Sequence, residues 1–324
     1  MQFHLDINTG VSTDKIEHRN TTLFFGSCFS EHIEKRLNDL KFNSASNPFG
    51  IVFNPVSIQR SLNRILTKTY FTDNDLLENG DMWKSLETHS SLSMASKAQL
   101  LHTLNNLVDE WHVKLCKANT LIITFGSAFF YEHLESGVTV ANCHKLPGKL
   151  FTKHLSNTAA IVADYNTLLN TLKSFNPDLK VIFTVSPVKH LRDGIIENSL
   201  SKAILIQSVH EISKQHSNCT YFPAYELVND DLRDYRFYEA DMAHPNKLAI
   251  DYVWDKFSGM FFSTDTLKLN AKLRELNSAF HHRPLNKEGI AFTEFKQAQV
   301  NKCLALKTDY PFLNFDKELI YFSE

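Results

Sequence analysis

The sequence predicts an α/β fold built around a parallel sheet of about five strands. Short β-rich runs are each followed by a turn or polar loop and then by a helical pattern. The runs are continuously apolar, and strands that helices cover on both faces have this composition. The predicted strands are Thr22–Phe25, Leu121–Phe125, Val181–Val185 and Thr220–Phe222, with a weaker one near Lys41–Ala45.

Start signals mark the helices between these strands. Asn54 followed by Pro55 is typical of an N-cap with a first-turn proline. Ser96 with Gln99 predicts a capping box, and another helix is predicted after Ser156. Apolar residues recur at helical spacing after each start, which indicates helices that pack one face on the core.

We predict a main domain over residues 1–262 and a helical C-terminal extension over residues 263–324 that packs on it. Between about residues 56 and 117 the main domain carries a helical insertion that is longer than a simple crossover needs. This insertion, which includes His89, is a candidate cover for the functional site. The extension begins where the β signals stop, after Phe261, and Pro284 and Pro311 interrupt it.

Composition excludes several classes of protein. The chain has 324 residues, 43% of them hydrophobic and 22% charged, as in ordinary globular proteins. A chain of this length buries a core that needs no disulfide or structural metal. Its net charge of −2 provides no basic field for a phosphate backbone, so we expect no nucleic-acid partner.

Cysteine usage and the N-terminus predict the compartment. The five cysteines are scattered without a C-x-x-C pair, which argues against a disulfide framework and favours a reducing compartment. The first ten residues lack the basic start and apolar run of a signal peptide. No stretch approaches the roughly 18 consecutive apolar residues of a membrane span. We therefore expect a cytoplasmic protein with no membrane partner.

Metal and nucleotide chemistry lack their usual motifs. His210-Glu211 begins like a zinc-protease motif, but the next histidine, His216, does not fall on the same helical face. Cys143-His144 has no further ligands at short spacing. No glycine-rich phosphate loop is present. We therefore expect no metal and no cofactor.

Ser27 is the first candidate for chemistry. The first predicted strand runs into Gly26-Ser27-Cys28, and a helix follows. A sharp turn at glycine would leave Ser27 at the carboxyl edge of the sheet, where open α/β folds bind ligands. The helix N-terminus would also favour a developing oxyanion. The alternative is that Ser27 only caps the helix.

Asp241 and His244 form the second candidate. They lie after the last predicted strand and before a helix, in the run Asp241-Met242-Ala243-His244-Pro245. This spacing lets the carboxylate accept from the imidazole Nδ1–H, leaving Nε2 as a general base toward a serine. The alternative is a local cap in which both side chains satisfy loop backbone. In a doubly wound sheet this loop and the end of the first strand can reach one edge.

These segments, in this order, resemble the GSCFA-domain proteins, which belong with the SGNH (GDSL-like) hydrolases. The resemblance runs from about Thr21 to Phe257 and implies a flavodoxin-like α/β/α sandwich with a catalytic triad of Ser27, Asp241 and His244. It rests on "GSCFS" at Gly26–Ser30, "NPFGIVFNP" at Asn47–Pro55, "ITFGSAFFYE" at Ile123–Glu132, "NCHKLP" at Asn142–Pro147, "FTVSPVKHLRDG" at Phe183–Gly194 and "YFPAYELVNDDLRDYRFYEADMAHP" at Tyr221–Pro245.

The wider SGNH pattern also implies an oxyanion hole with a glycine and an asparagine. Gly50 matches the glycine, whereas Ala128 stands where the asparagine is expected. Ser127, Asn142 and Asn47 are candidate replacements, and a hole made only of backbone donors is the alternative. Of the two adjacent nucleophiles, the resemblance selects Ser27, and we expect Cys28 to be a buried packing residue.

Polar loops suggest the kind of substrate. His89 and His190 lie in or beside the resembling segments, near several charged residues. If these loops converge, the cleft is polar and suits a hydrophilic small-molecule or glycan acyl ester. Arg233, Asp234 and Arg236 alternatively form a surface ion-pair network. Two function classes therefore remain: a cofactor-independent serine esterase or acyltransferase, and a non-catalytic binding protein on the same scaffold.

Overall fold

The strands of the computed structural model, which describes residues 5–283 and 289–323, form three separate sheets. One is the predicted parallel sheet, and two are small antiparallel sheets. In chain order the strands are β1 Thr21–Gly26, β2 Asn43–Ser46, β3 Leu77–Asn79, β4 Met82–Lys84, β5 Thr120–Phe125, β6 Phe129–His133, β7 Thr139–Val140, β8 Phe151–Leu155, β9 Lys180–Val185 and β10 Cys219–Phe222.

Helices follow the strands of the large sheet and form the C-terminal part of the chain. The short α6 continues into a π-helix over Leu227–Leu232. The helices are α1 Cys28–Asp39, α2 Pro55–Leu66, α3 Lys97–Lys117, α4 Thr158–Phe175, α5 Ile195–Gln215, α6 Ala224–Glu226, α7 Lys247–Phe261, α8 Thr264–Phe280, α9 Ile290–Asp309 and α10 Asp316–Ser323.

The large sheet has the strand order β10-β9-β5-β1-β2, and all its neighbouring pairs are parallel. Counted along the chain among these five strands, the order is 2-1-3-4-5, which is the flavodoxin-like arrangement. The chain reverses its strand order between β1 and β5, where such sheets leave a crevice at their carboxyl edge. The predicted α/β class and five-stranded parallel sheet are confirmed.

Alternation of side chains along the strands divides the core into two layers. Leu23 and Phe25 point into a cluster with helices α2 to α5, whereas Phe24 points into a cluster with α1, α7 and the C-terminal helices. Because both sides of the central strands β1, β5 and β9 are buried, their sequences are continuously apolar, whereas the edge strand β2 is polar and partly exposed. The result is a three-layer α/β/α sandwich.

The two small sheets were not predicted from the sequence. Strands β3 and β4 form a hairpin inside the predicted insertion, and β6 pairs antiparallel with β7 and β8. Most residues of β3, β4 and β6 are only partly buried, so these strands lack the continuous apolar runs that revealed the large sheet. The insertion is therefore helical at its two ends, in α2 and α3, and contains a hairpin between them.

The C-terminal helices pack on one layer of the sandwich. Leu273 of α8 and Phe322 of α10 belong to the same buried cluster as Phe42 and Phe262. Lys41 also pairs with Glu318 of α10 at 2.7 Å. The domain limits at residues 262 and 263 stay a prediction, and the predicted interruption at Pro284 lies outside the described residues.

Candidate active site

Ser27 lies where β1 ends and α1 begins. Gly26 has φ +141, and a Cβ there would lie 2.2 Å from the Thr124 carbonyl oxygen, so only glycine allows this close passage beside β5. Ser27 occupies the N-cap position, yet its side chain makes no capping hydrogen bond. Its side chain is buried, and Oγ has no hydrogen-bond partner among the described residues. The hydroxyl is therefore not used to cap the helix.

Asp241 and His244 form a tightly bonded pair before α7. His244 Nδ1 lies 2.6 Å from Asp241 Oδ2. Asp241 Oδ1 accepts from the backbone N–H groups of Ala243 at 2.9 Å and His244 at 3.0 Å. These backbone bonds, first that of His244, and then the imidazole bond lower the pKa of Asp241 to about 2. The carboxylate therefore stays ionised and orients the ring through Nδ1, which leaves Nε2 as the nitrogen able to accept a proton.

Ser27 and His244 line the same cavity, whose volume is about 830 Å³. The cavity lies at the carboxyl edge of the large sheet and is walled by the β6–β7 region and the loop between β9 and α5. Since Ser27 Oγ has no hydrogen-bond partner, the bond to His244 is not formed in this conformation. Catalytic hydrogen bonds are often long in unliganded sites and tighten when substrate binds.

Three other predicted site residues, Ser127, Asn142 and His190, also line this cavity. Ser127 Oγ is engaged locally, because it accepts from the Phe129 N–H at 3.1 Å. Asn142 Oδ1 accepts from the His144 N–H at 2.8 Å, which is a local turn bond. The amide nitrogen of Asn142 does not take part in that bond.

Three predicted residues, Gly50, Asn47 and His89, are not among those that line the cavity. The Gly50 N–H donates to the Asn47 carbonyl at 2.9 Å, so it is not free to face an oxyanion. A Cβ on Gly50 would lie 2.3 Å from His89 Cβ, and the glycine therefore serves close packing. His89 accepts from the Ser91 N–H at 3.3 Å and caps a short helix.

Asn47 supports the turn that carries Ser27 from outside the cavity. Its Oδ1 accepts from the Gly26 N–H at 2.9 Å, and its Nδ2 donates to Glu31 at 3.2 Å. Asn47 therefore connects β1, α1 and the segment after β2. The structure gives it a positioning contact where the sequence suggested an oxyanion donor.

Lys202 is a buried cation beneath the site that the sequence analysis missed. Only 1% of its surface is exposed, and Nζ donates to the carbonyls of Gly126 at 2.5 Å and Ser186 at 2.7 Å. Burial lowers its pKa to about 7. Its burial could have been predicted from the sequence, because Lys202 lies on the same helical face as buried Leu205 and Val209 of α5.

His190 lines the cavity and is influenced by the charge of this lysine. Burial, followed by the positive charges of Lys202 and His244, lowers the pKa of His190 to about 3. The ring packs 4.8 Å from the Phe53 ring, and its Nε2 has no hydrogen-bond partner among the described residues. His190 is therefore neutral at physiological pH and offers the cavity a polar but uncharged ring.

Asn54 is another residue of the site whose place the sequence did not predict. It caps α2 as predicted, with Oδ1 accepting from the Ser57 N–H at 2.8 Å. It also lines the cavity that contains Ser27. The capping bond fixes the amide with its oxygen toward the helix, so the amide nitrogen points away from it.

Cys28 is half-buried and lines the cavity, which corrects the expectation of a buried packing residue. Burial and, secondarily, the charge of Glu31 raise the pKa of its thiol. The thiol is therefore protonated near neutral pH, and the thiol form is a poor nucleophile.

The predicted insertion does not cover the cavity, because none of residues 56–117 lines it. The β6–β7 region, which the sequence did not reveal as strands, takes that place. Arg233 and Asp234 line a different cavity of about 220 Å³, and the exposed Arg236 lies 3.7 Å from Asp234. The residues between α6 and Asp241 therefore do not line the Ser27 cavity.

Two further observations concern metals and membranes. In the described part of the chain, no three histidine, cysteine, aspartate or glutamate side chains form a group that could hold a metal ion. Within residues 5–283 and 289–323, no helix combines the length and apolar character that crossing a bilayer requires.

Solved structures similar to this chain are esterases, each 10% identical to it and matched over 79% of its length. One is a carbohydrate esterase family 3 from Talaromyces cellulolyticus, with a TM-score of 0.36 over 99% of that chain. Another is an acetyl esterase mutant with acetate ion, with a TM-score of 0.37 over 99% of that chain. A third is an acetyl xylan esterase from the rumen bacterium Butyrivibrio proteoclasticus, with a TM-score of 0.36 over 65% of that chain.

Family models account for most of the sequence. A comparison with curated proteins finds no match. The model of the GSCFA family matches residues 21–257, and that of the GSCFA domain protein, C-terminal domain, matches residues 273–324. The first match includes both the Ser27 turn and the Asp241–His244 pair. The chain belongs to the GSCFA family.

Proposed function

We propose that the protein is a cofactor-independent serine hydrolase of the SGNH type, which cleaves or transfers an acyl ester through Ser27, Asp241 and His244. One observation carries this proposal: an unbonded serine hydroxyl and a carboxylate-oriented histidine line one cavity. This is the set of roles that nucleophilic acyl transfer requires.

The five cysteines are free thiols, which supports a cytoplasmic location.

The reaction follows from these roles. Ser27 Oγ attacks the ester carbonyl carbon while His244 Nε2 accepts the hydroxyl proton. The tetrahedral intermediate collapses when His244 returns that proton to the leaving alcohol oxygen, and the acyl group remains on Ser27. Water, or an acceptor alcohol in a transferase, then attacks the acyl-enzyme, again giving its proton to His244, which protonates Ser27 as the acyl group leaves. Asp241 stays ionised throughout and stabilises the charged imidazole.

Oxyanion stabilisation comes from donors near the start of α1. The first N–H groups of a helix have no intrahelical partner and favour negative charge. Asn54 and Asn142, whose side-chain oxygens are held by local bonds, supply the side-chain donors that Ala128 lacks. The Ala128 N–H itself donates to Ser201 Oγ at 2.7 Å and does not take part.

The cavity walls favour a hydrophilic substrate of moderate size. Aromatic rings such as Phe129 and Tyr131 lie beside charged residues such as Arg192. Flat rings and polar groups together suit an O-acylated carbohydrate or a small polar ester better than a long aliphatic chain.

A non-catalytic binding protein on the same scaffold is the second candidate function. It is favoured by Ala128 at the position of the expected asparagine and by the unformed bond between Ser27 and His244. Loss of one oxyanion donor lowers rates by about a hundred- to a thousandfold.

Covalent labelling with a fluorophosphonate probe separates the two functions. We expect the probe to label the wild-type protein and Cys28→Ala, but not Ser27→Ala. Ser30→Ala is a matched control on the same helix, because Ser30 Oγ donates to Thr124 Oγ1 at 2.7 Å and does not line the cavity. Peptide mapping should locate the label on Ser27.

Two outcomes would contradict the proposal. Labelling that survives Ser27→Ala and disappears in Cys28→Ala would make the thiol the nucleophile. A folded wild-type protein that is not labelled, and that hydrolyses no acyl ester, would favour the binding function.

A further inference from the structure

The charged residues of the Ser27 cavity are mostly basic, although the whole chain has a net charge of −2. Lys145, Lys189 and Arg192 line it, and Asp193 is the acidic residue among the described residues that do so. A cavity with an excess of one charge raises the local concentration of ligands of the opposite charge.

Asp193 does not offset this excess. It forms an ion pair with Lys153 at 2.5 Å, and Lys153 itself is not part of the cavity lining. Lys153 also lies 3.8 Å from the centre of the Phe129 ring. This ion pair neutralises the charge of Asp193 and leaves the lining cations without an acidic partner in the cavity lining.

Arg192 is the cation best placed to bind a ligand. It is exposed, and it makes no ion pair with the described residues. Its guanidinium carbon lies 5.8 Å from the centre of the Tyr131 ring. Burial raises the pKa of the Cys143 thiol, and the charge of Arg192 opposes that shift.

Two walls of the cavity therefore provide cations. Arg192 comes from the loop between β9 and α5, whereas Lys145 comes from the segment after β7 and is exposed with a left-handed backbone, φ +59. Lys189 is different, because its ammonium lies 3.8 Å from the Tyr238 ring and is already engaged there. Arg192 and Lys145 are thus the pair left for a ligand.

We propose that this cavity selects esters that carry a carboxylate, which Arg192 binds with help from Lys145 while the ester bond faces Ser27. The inference rests on the proposed function and adds the charge of its substrate. A guanidinium donates two parallel hydrogen bonds that match the planar geometry of a carboxylate. The Tyr131 and Phe129 rings beside it provide flat apolar surface for the ring or chain that joins the two groups.

A pair of isosteric esters tests the proposal with the full-length protein. One is 4-acetoxybenzoate, and the other is its neutral amide, 4-acetoxybenzamide; each enzymatic rate is divided by the spontaneous hydrolysis rate of that ester. We expect the wild type to favour the carboxylate ester by at least about tenfold in kcat/KM, which is the effect of one charge-assisted bond. The preference should decrease as salt is added.

Arg192→Gln should remove this preference. We expect KM for the carboxylate ester to rise about tenfold with little change in kcat, because the bond is made equally in ground and transition states. The rate for the amide ester should change much less, because that ester has no carboxylate for Arg192 to bind. Arg233→Gln is the matched control, since Arg233 is exposed and lines the separate cavity, and it should alter neither ester.

The outcomes distinguish the two proposals. Equal normalised rates for the two esters, or an Arg192→Gln effect that is the same on both, would overturn the carboxylate proposal and leave the hydrolase intact. If neither ester is hydrolysed, calorimetric titration with 4-hydroxybenzoate and 4-hydroxybenzamide decides. Carboxylate-selective binding that Arg192→Gln abolishes would then support the anion site, and no selectivity would overturn it. In either case labelling by the fluorophosphonate probe decides the hydrolase separately.

Discussion

Ser27 and the Asp241–His244 pair are held in place by different kinds of contact. Ser27 is 3% exposed and its hydroxyl has no partner, whereas the side chains of Asp241 and His244 are 50% exposed and hydrogen-bonded to each other. Long-range contacts of Gly26 with Thr124 and Asn47 set the position of Ser27. The pair depends on bonds within four consecutive residues. The position of the proposed nucleophile therefore depends on the sheet, and that of the proposed base depends on a local turn.

This contrast predicts different consequences of damage. Substitutions near the buried serine should affect folding and chemistry together, because the same contacts join the central strands. Substitutions in the exposed turn should affect chemistry with little loss of stability, because few other groups depend on it.

The largest effect is expected for Gly26→Ala. The new Cβ would lie 2.2 Å from the Thr124 carbonyl oxygen, in a backbone with φ +141, so strands β1 and β5 would have to separate. We expect a loss of more than about 4 kcal/mol in the free energy of unfolding, or no folded protein. Urea denaturation followed by circular dichroism measures this.

Gly137→Ala is the control for backbone strain alone. Gly137 has φ +65 and open space around its Cβ position, so its substitution should cost only about 1–2 kcal/mol. Similar losses in the two variants would show that the passage beside β5 is not what requires glycine at position 26.

Asp241→Asn should disable the exposed Asp241–His244 pair without unfolding the protein. An amide can no longer hold the Nδ1–H tautomer of His244, so kcat should fall by about a hundred- to ten-thousandfold. The thermal transition should move little. Ser27→Ala combined with Asp241→Asn should be scarcely slower than Ser27→Ala, because the residues act as one unit.

Asp234→Asn is matched to this variant. Asp234 is exposed and its Oδ1 accepts from a backbone N–H, that of Arg236, at 2.8 Å in a similar local turn. Its substitution should leave kcat unchanged. Additive losses in the double variant at Asp241 and Ser27 would instead indicate that the two residues belong to separate sites.

Lys202→Met tests the buried part of the site through the pH dependence of the free energy of unfolding. The folded protein lowers the pKa of Lys202 from 10.5 to about 7, so between these values the unfolded chain binds a proton that the folded chain does not. Raising the pH across this window therefore stabilises the wild type relative to Lys202→Met, by at most about 1.4 kcal/mol per pH unit. Below about pH 7 the difference should be constant. Urea titrations at pH 6, 7.5 and 9 measure it, and a pH-independent difference would contradict a buried, titrating amine.

Cys28→Ala should have the smallest effect. Burial raises the pKa of this thiol, and a protonated thiol neither attacks an ester nor supports the serine, so kcat should change by less than about threefold. Steady-state hydrolysis measures the change. A loss of kcat as large as that of Ser27→Ala would indicate that Cys28 is the nucleophile.

Much of the fold was predictable because it depends on local pattern. Four of the five parallel strands appeared as continuous apolar runs, whereas the polar edge strand β2 gave only a weak signal. Asn54 and Ser96 cap the helices that they were predicted to start. Strands β6 and β8 were missed because their partly exposed residues carry no such pattern. Strand β6 lines the cavity and β8 does not, and none of residues 56–117 lines it either, so the cover assigned to residues 56–117 was wrong.

Proximity in sequence was a weaker guide to the site. Gly50 and His89 pack on each other outside the cavity lining, whereas Asn54, only four residues beyond Gly50, is part of it. Lys202 was hidden in the amphipathic pattern of α5, although it bonds two carbonyls beneath the site. Such placements depend on how strand ends meet, which no local pattern records.

By itself, the sequence determined the chain order of the large-sheet strands, the glycine turn before Ser27 and the Asp241–His244 spacing, because each depends on residues close together in the chain. Only the tertiary structure decided which loops wall the cavity, which asparagines face it and where its cations lie. The physical reason is that these relations join the carboxyl ends of β1, β5 and β9, which are brought together by burial of both faces of one sheet.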